Sequence, residues 1–459
     1  MAGARNTQTP LGTQHSRCLA EPVSESLRIG ILGGSISWGA ELGRRQNWLR
    51  YSAQLQQRLP SSKVYNRAMP ATGSPYASFC LDHLLPEAVD VLVLEFNFND
   101  AYGHDQIQNG ASRGRVALSP PANMERLLRS VLRRSYPPCV IIVLAVCRGW
   151  SRCESIHDKV ARHYRAQGVV KLSLHLDGVG WPGLPAHNGS HHPTKAGHSE
   201  IARLIEAELM TGSNSSHCLH SRPRCPRRLP APLEAFPSWE AAEEGRWQCA
   251  SCDYHECPGL QPLERCRQGG FQLAGVNATD RGTIFKVGWT ATTAGATTCF
   301  PLDGGHAGAQ VLVAMLCSYE NVGAAAVRLT GPGTVDSTWQ PLELRWNARA
   351  SQQCVMNLGR IGPGREALLL LRMRSSQADA SRGQNQLKVF GVYTWKFVRP
   401  HSNANTANRN GTRVPLPVPF QVPDLLSVPS QVPRPWSRPV HVDPVFIPDP
   451  VLGPTGGGV

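Results

Sequence analysis

The chain has 459 residues, 41% of them hydrophobic, with a formal net charge of +14 and a pI near 9.4. That length allows two or three cored domains, and no apolar run of 18 residues is present to form a transmembrane helix. The basic charge comes mainly from scattered arginines without a five-residue basic run, which favours acidic polysaccharide or anionic surfaces over nucleic acid, or simply gives a basic surface.

Residues 1–26 are polar and aperiodic and read as a disordered N-terminus with no apolar leader core. From Leu27 short apolar runs alternate with helical patterns. The predicted strands are Leu27–Leu32, Lys63–Asn66, Val89–Phe96, Val140–Val146 and Val169–Leu176. The predicted helices are Arg44–Leu59, Ser74–Leu85, Asn123–Arg134, Glu154–Gln167 and Thr194–Met210. Runs such as Val-Leu-Val-Leu and Val-Ile-Ile-Val-Leu suit a parallel sheet covered on both faces, so residues 27–212 are expected to form a three-layer α/β domain.

In such a sheet, chemistry gathers at the carboxyl ends of the strands. After the first strand comes Gly33-Gly34-Ser35, a turn that can present a nucleophile or, as readily, use Ser35 as an ordinary helix cap. The second is followed by a loop reaching Gly73, the third by Asn97, Asn99 and Asp100. Beyond the fifth lies Asn188-Gly-Ser-His191-His192-Pro193-Thr-Lys-Ala-Gly197-His198, where proline and threonine open the last helix. A serine, neutral hydrogen-bond donors and a late histidine at one edge supply a nucleophile, an oxyanion hole and a general base.

These blocks, in this order over residues 27–210, resemble the SGNH (GDSL-type) hydrolases. The resemblance implies a flavodoxin-like three-layer fold and ester hydrolysis through an acyl-enzyme, with no cofactor. Ser35 would be the nucleophile and His192 the base. The N–H groups of Ser35 and Gly73 and the side chain of Asn99 would form the oxyanion hole. Two positions depart from the family. Gly34 replaces the Asp that precedes the nucleophile, and Gly189 stands three residues before His192, where the family has the Asp that orients the base. The alternatives are a Ser–His dyad, orientation by Asp177 or by Asn188, or a scaffold that has lost activity. His191 in a shifted register and Asn97 in place of Asn99 are competing assignments, whereas His198, His163, His175 and His187 read as packing or surface residues.

Seven of the 14 cysteines fall between Cys218 and Cys299, and sequons occur at Asn188, Asn214, Asn277 and Asn410. Both features point to an oxidising compartment, hence to a secreted or endomembrane protein. A glycan at Asn188 would crowd His192, so that sequon is expected to be unoccupied in active protein. Residues 213–245 read as a linker. Residues 246–269 form a Cys-rich segment in which disulfides are favoured over a zinc site built from Cys249, Cys252, His255, Cys257 or Cys266.

Residues 270–398 show short strand-like runs at Thr283–Val287, Gln310–Cys317, Ala325–Leu329, Leu342–Trp346, Ala367–Met373 and Leu387–Trp395, predicting an antiparallel β-sandwich. Trp289, Trp339, Trp346 and Trp395 are a candidate sugar-stacking row or ordinary core residues. GDSL-type proteins with such an added segment and β-domain look most like secreted or endomembrane proteins of green plants and algae. Residues 399–459 are proline-rich and predict an extended tail. The expected activity is a serine esterase acting on carbohydrate esters such as O-acetyl groups. A silent glycan-binding or wall protein and an acyltransferase are the alternatives.

Overall fold

A computed structural model describes residues 26–40, 42, 44–85, 88–101, 120–146, 151–175, 192–210, 229–233, 246–252, 257, 259–274, 287–318, 322–334, 338–342, 344, 351–364, 366–374 and 386–396. All of them lie in one compact unit that runs to Pro400.

The first half is built on strands β1 (Arg28–Gly33), β2 (Lys63–Asn66), β3 (Val91–Glu95), β4 (Cys139–Val146) and β5 (Val169–His175). They form an all-parallel sheet in the order β2-β1-β3-β4-β5. The apolar runs that define β1, β3 and β4 have no polar side to turn to water, so helices cover both faces. On one face lie α1 (Ser35–Trp38), α2 (Tyr51–Arg58) and α6 (Lys195–Met210). On the other lie α3 (Ser74–Leu84), α4 (Pro120–Leu132) and α5 (Ser151–His163). Met124, Leu127, Leu128 and Val131 of α4 follow the i, i+3, i+4, i+7 spacing of a single buried stripe. Full burial of each such side chain contributes about 1.5–3 kcal/mol.

Strand order reverses between β1 and β3. Their carboxyl ends, Gly33 and Glu95, therefore open the crevice where this topology places ligands. The expected single helix over residues 44–59 is broken: a 3-10 segment spans Arg44–Leu49, and Arg50 is extended (φ −60°, ψ 144°) before α2 begins. The break lays the Arg50 guanidinium 4.0 Å over the Trp38 ring.

The second half comprises β6 (Arg246–Ser251), β7 (Gln272–Ala274), β8 (Gly288–Ala291), β9 (Thr297–Leu302), β10 (Ala309–Ser318), β11 (Ala325–Thr330), β12 (Gln340–Leu342), β13 (Ser351–Ile361), β14 (Ala367–Met373) and β15 (Leu387–Lys396). One antiparallel sheet runs β13-β10-β15-β8-β7, with β6 also paired to β15, and a second runs β12-β11-β14-β9. Their facing sides enclose one apolar core, with Val311, Val313, Met315, Leu369 and Leu371 at its centre.

Several expectations shift here. Residues 246–251, expected to belong to a Cys-rich segment, are strand β6, which pairs with β15 and turns Trp247 and Cys249 toward the α/β layer and Ala250 toward the core between the β-sheets. Strands β9 and β13 had no counterpart in the sequence reading. Of the run expected at residues 283–287 only Val287, next to β8, is described, and the run expected at residues 342–346 meets β12 at Leu342 and otherwise lies largely outside the described residues. Disulfides join Cys80–Cys249, Cys252–Cys257, Cys266–Cys299 and Cys317–Cys354, so the cysteines considered for zinc are spent in covalent bonds. Cys139 is also disulfide-bonded. Trp289 and Trp395 are buried, the former donating its indole N–H to the Leu260 carbonyl at 2.6 Å, so neither can belong to an exposed stacking row. Trp339 is flanked by the guanidinium groups of Arg328 and Arg372, and Trp346 lies outside the described residues. His255, the N-terminal 25 residues and the proline-rich tail also lie outside them.

Candidate active site

The turn after β1 is set by two close approaches. A Cβ on Gly33 would fall 2.3 Å from Ser37 Oγ and 2.8 Å from the Glu95 carbonyl, and one on Gly34 would fall 2.1 Å from Asn99 Nδ2. Real Cβ atoms do not approach other atoms so closely, so the glycines here answer to packing. This also gives a physical reason for Gly34 in place of an Asp: the Asn99 amide occupies the space. Gly34 donates its N–H to the Glu95 carbonyl (3.0 Å) and caps α1, whose first residue is Ser35. A residue at a helix start has no intrahelical acceptor for its N–H.

Ser35 is 8% exposed, and its Oγ lies 2.8 Å from His192 Nε2, although the two residues are 157 positions apart. His192 is held just ahead of α6. Pro193 is buried, and the Thr194 carbonyl and hydroxyl accept the N–H groups of His198 and Gly197.

Asn99 lies in the helical turn at residues 97–101, beyond β3. Its amide donates to the Thr72 carbonyl at 2.8 Å, which fixes the carboxamide against Gly34 beside the serine. Gly73 is the N-cap of α3, and Asp100 Oδ1 accepts the Ser74 N–H at 2.9 Å. A Cβ on Gly73 would meet that carboxylate oxygen at 2.2 Å. The other oxygen of Asp100 lies 2.8 Å from His157 Nε2, a pair withdrawn from water at 2% and 0% exposure.

Behind the turn sits a buried carboxyl group absent from the sequence expectations. Glu95 Oε2 accepts the main-chain N–H of Ser37 (3.2 Å) and its hydroxyl (3.1 Å), and the Tyr51 hydroxyl donates in turn to Ser37 Oγ (2.7 Å). Burial raises the Glu95 carboxyl to about 7, opposed by the hydrogen bonds from Ser37 and Gly34 and reinforced by nearby Asp100. Burial also raises the Tyr51 phenol. His198 is buried, accepts the Tyr51 N–H at Nδ1 (3.3 Å) and lies 6.0 Å from the Tyr51 ring. Burial first, then His192 and Arg50, lower it to about 3 and keep it neutral.

Because Glu95 binds its proton more tightly in the folded chain than at its ordinary value of 4.5, the stability it gives is complete below that pH and lost as pH rises through about 7. At roughly 1.4 kcal/mol per pH unit the loss is about 3 kcal/mol. Glu95→Gln is neutral throughout. Its unfolding free energy in urea, minus that of the parent, is expected to rise by about this amount between pH 4.5 and 7.5. Parallel profiles would contradict the assignment.

The structure thus brings Ser35, His192, Gly73 and Asn99 to one strand edge. Asn97 is fully buried, and His163 contacts the Ala231 carbonyl. Asp177, Asn188, Gly189, His187 and His191 lie outside the described residues. The sequence did carry a signal for Glu95, a lone carboxylate closing an otherwise apolar strand. Nothing in the sequence pairs Asp100 with His157.

No protein-family model and no curated protein sequence matches the chain. Among solved structures, it resembles a two-domain esterase active on acetylated mannans, co-crystallised with mannopentaose, with 18% identity and a TM-score of 0.50 over 82% of this chain and 92% of the other. A second structure of a two-domain esterase active on acetylated mannans matches with 16% identity and a TM-score of 0.51 over the same shares. The likeness is one of fold: the chain carries a parallel α/β layer followed by antiparallel β-sheets.

Proposed function

We propose that the chain is a serine esterase that removes small acyl groups, O-acetyl above all, from carbohydrate. The observation that carries this reading is the 2.8 Å contact between Ser35 Oγ and His192 Nε2 at the carboxyl edge of the parallel sheet. His192 takes the Ser35 proton as Oγ attacks the ester carbonyl, and the oxyanion is stabilised by the N–H groups of Ser35 and Gly73 and the Asn99 amide. His192 then returns the proton to the leaving sugar oxygen. Water, deprotonated by His192, releases the acid from the acyl-serine. No cofactor enters these steps.

The carbohydrate assignment draws on the two mannan-active esterases of like fold. The disulfides support residence in the secretory pathway or outside the cell. Purified chain should release acetate from acetylated mannan and p-nitrophenol from its acetate, and Ser35→Ala should do neither. Equal turnover by the two proteins would sink the reading. Acetyl transfer to an added oligosaccharide would instead identify an acyltransferase.

A further inference from the structure

The loop that supplies Gly73 is gripped from the β-half of the chain. Ala71, two residues before Gly73, has φ +57° and is the sole non-glycine residue with positive φ among those described. An L-residue holds this conformation only where its surroundings impose it. Its carbonyl accepts the main-chain N–H of Gln353 at 3.0 Å. Gln353 lies on β13, the edge strand of its sheet, so an N–H directed at Ala71 points away from β10 and takes nothing from the ladder. The next residue, Thr72, accepts the Asn99 amide.

The helix that Gly73 caps is held from the same side. Cys80, where the backbone of α3 departs from helical angles, is bonded to Cys249 of β6. Phe79 packs between Trp247 (4.4 Å) and Tyr393 (5.4 Å), and the Arg126 guanidinium covers Phe79 at 4.8 Å. Tyr393 closes the circuit by accepting a hydrogen bond from Gln353 Nε2 at 3.1 Å. One apolar cluster runs without a break from α3 and α4 into β10 and β15.

We propose that the antiparallel half is a working part of the active site, with Gln353 and the Cys80–Cys249 bond as positioning elements that set the Gly73 and Asn99 donors. This rests on the esterase reading above.

The test compares full-length Gln353→Pro and the double variant Cys80→Ser/Cys249→Ser with the parent. Cys266→Ser/Cys299→Ser, which removes a disulfide anchored on β9 of the other sheet, serves as the control. Hydrogen exchange is expected to quicken at least about tenfold in peptides covering residues 70–75 in both test variants, with β3 unchanged. In the same variants kcat for p-nitrophenyl acetate is expected to fall about 10- to 100-fold with KM within about twofold, while the control stays within about twofold of the parent. Unchanged exchange at residues 70–75, or loosened exchange with an unchanged kcat, overturns the proposal. An inactive parent overturns the esterase reading instead, and the exchange data still decide whether the β-half holds the loop. If Gln353→Pro fails to fold, the cysteine pair carries the decision.

Discussion

His192→Ala is expected to lower kcat for p-nitrophenyl acetate by at least about 10³-fold while leaving KM within a few-fold. A serine hydroxyl is a poor nucleophile at neutral pH, and the proton it must lose has a route to a base through the 2.8 Å contact with Nε2. The neighbouring imidazole cannot take over. His198 is buried, its Nδ1 is engaged by the Tyr51 N–H, and its affinity for a proton is lowered to about 3. The loss should therefore appear in full, and His198→Asn, by comparison, should disturb α6 packing more than chemistry. A His192→Ala protein with more than a tenth of parental kcat would place the base elsewhere.

The second large effect concerns the oxyanion donors. Asn99→Ala is expected to reduce kcat about 10²–10³-fold, the usual consequence of removing one such donor. Gly34→Ala should imitate it without touching the amide, since the new methyl group would stand 2.1 Å from Asn99 Nδ2 and push the carboxamide off its seat on the Thr72 carbonyl. Because both changes act through one group, the double variant should be no slower than the worse single variant, a coupling that a double-mutant cycle reads directly. Additive losses would mean that Gly34 acts independently of Asn99.

Much of the α/β half was legible because its signals are local. Continuous apolar strands alternating with 3.6-residue stripes give a covered parallel sheet, and glycine, asparagine and histidine placed after successive strands mark its reactive edge. The reason for Gly34 was not legible. It lies in the amide of a residue 65 positions away, and only the pairing of β1 with β3 brings the two together. The buried supports were hidden for the same reason: Asp100 with His157, and Glu95 with Ser37 and Tyr51, are pairings made by topology.

In the β-half, short apolar runs set between glycine, threonine, asparagine and proline turns found strands such as β10, β14 and β15. It missed β6, whose cysteines suggested metal or disulfide chemistry, and β13, whose glutamines, asparagine and arginine mask its pattern. Residues 229–233, expected to be linker, lie against the α/β layer: the Pro230 carbonyl accepts Arg129, and the Leu233 N–H donates to Glu125. Those partners sit on α4, and no local pattern in a proline-rich stretch announces them.

The most direct measurement is to treat the native chain with a fluorophosphonate, digest it and locate the adduct by mass spectrometry. A single phosphonylated residue, Ser35, with labelling abolished in Ser35→Ala and strongly slowed in His192→Ala, is the expected result. An unlabelled native chain, or an adduct on any other residue, would contradict Ser35 as the activated nucleophile.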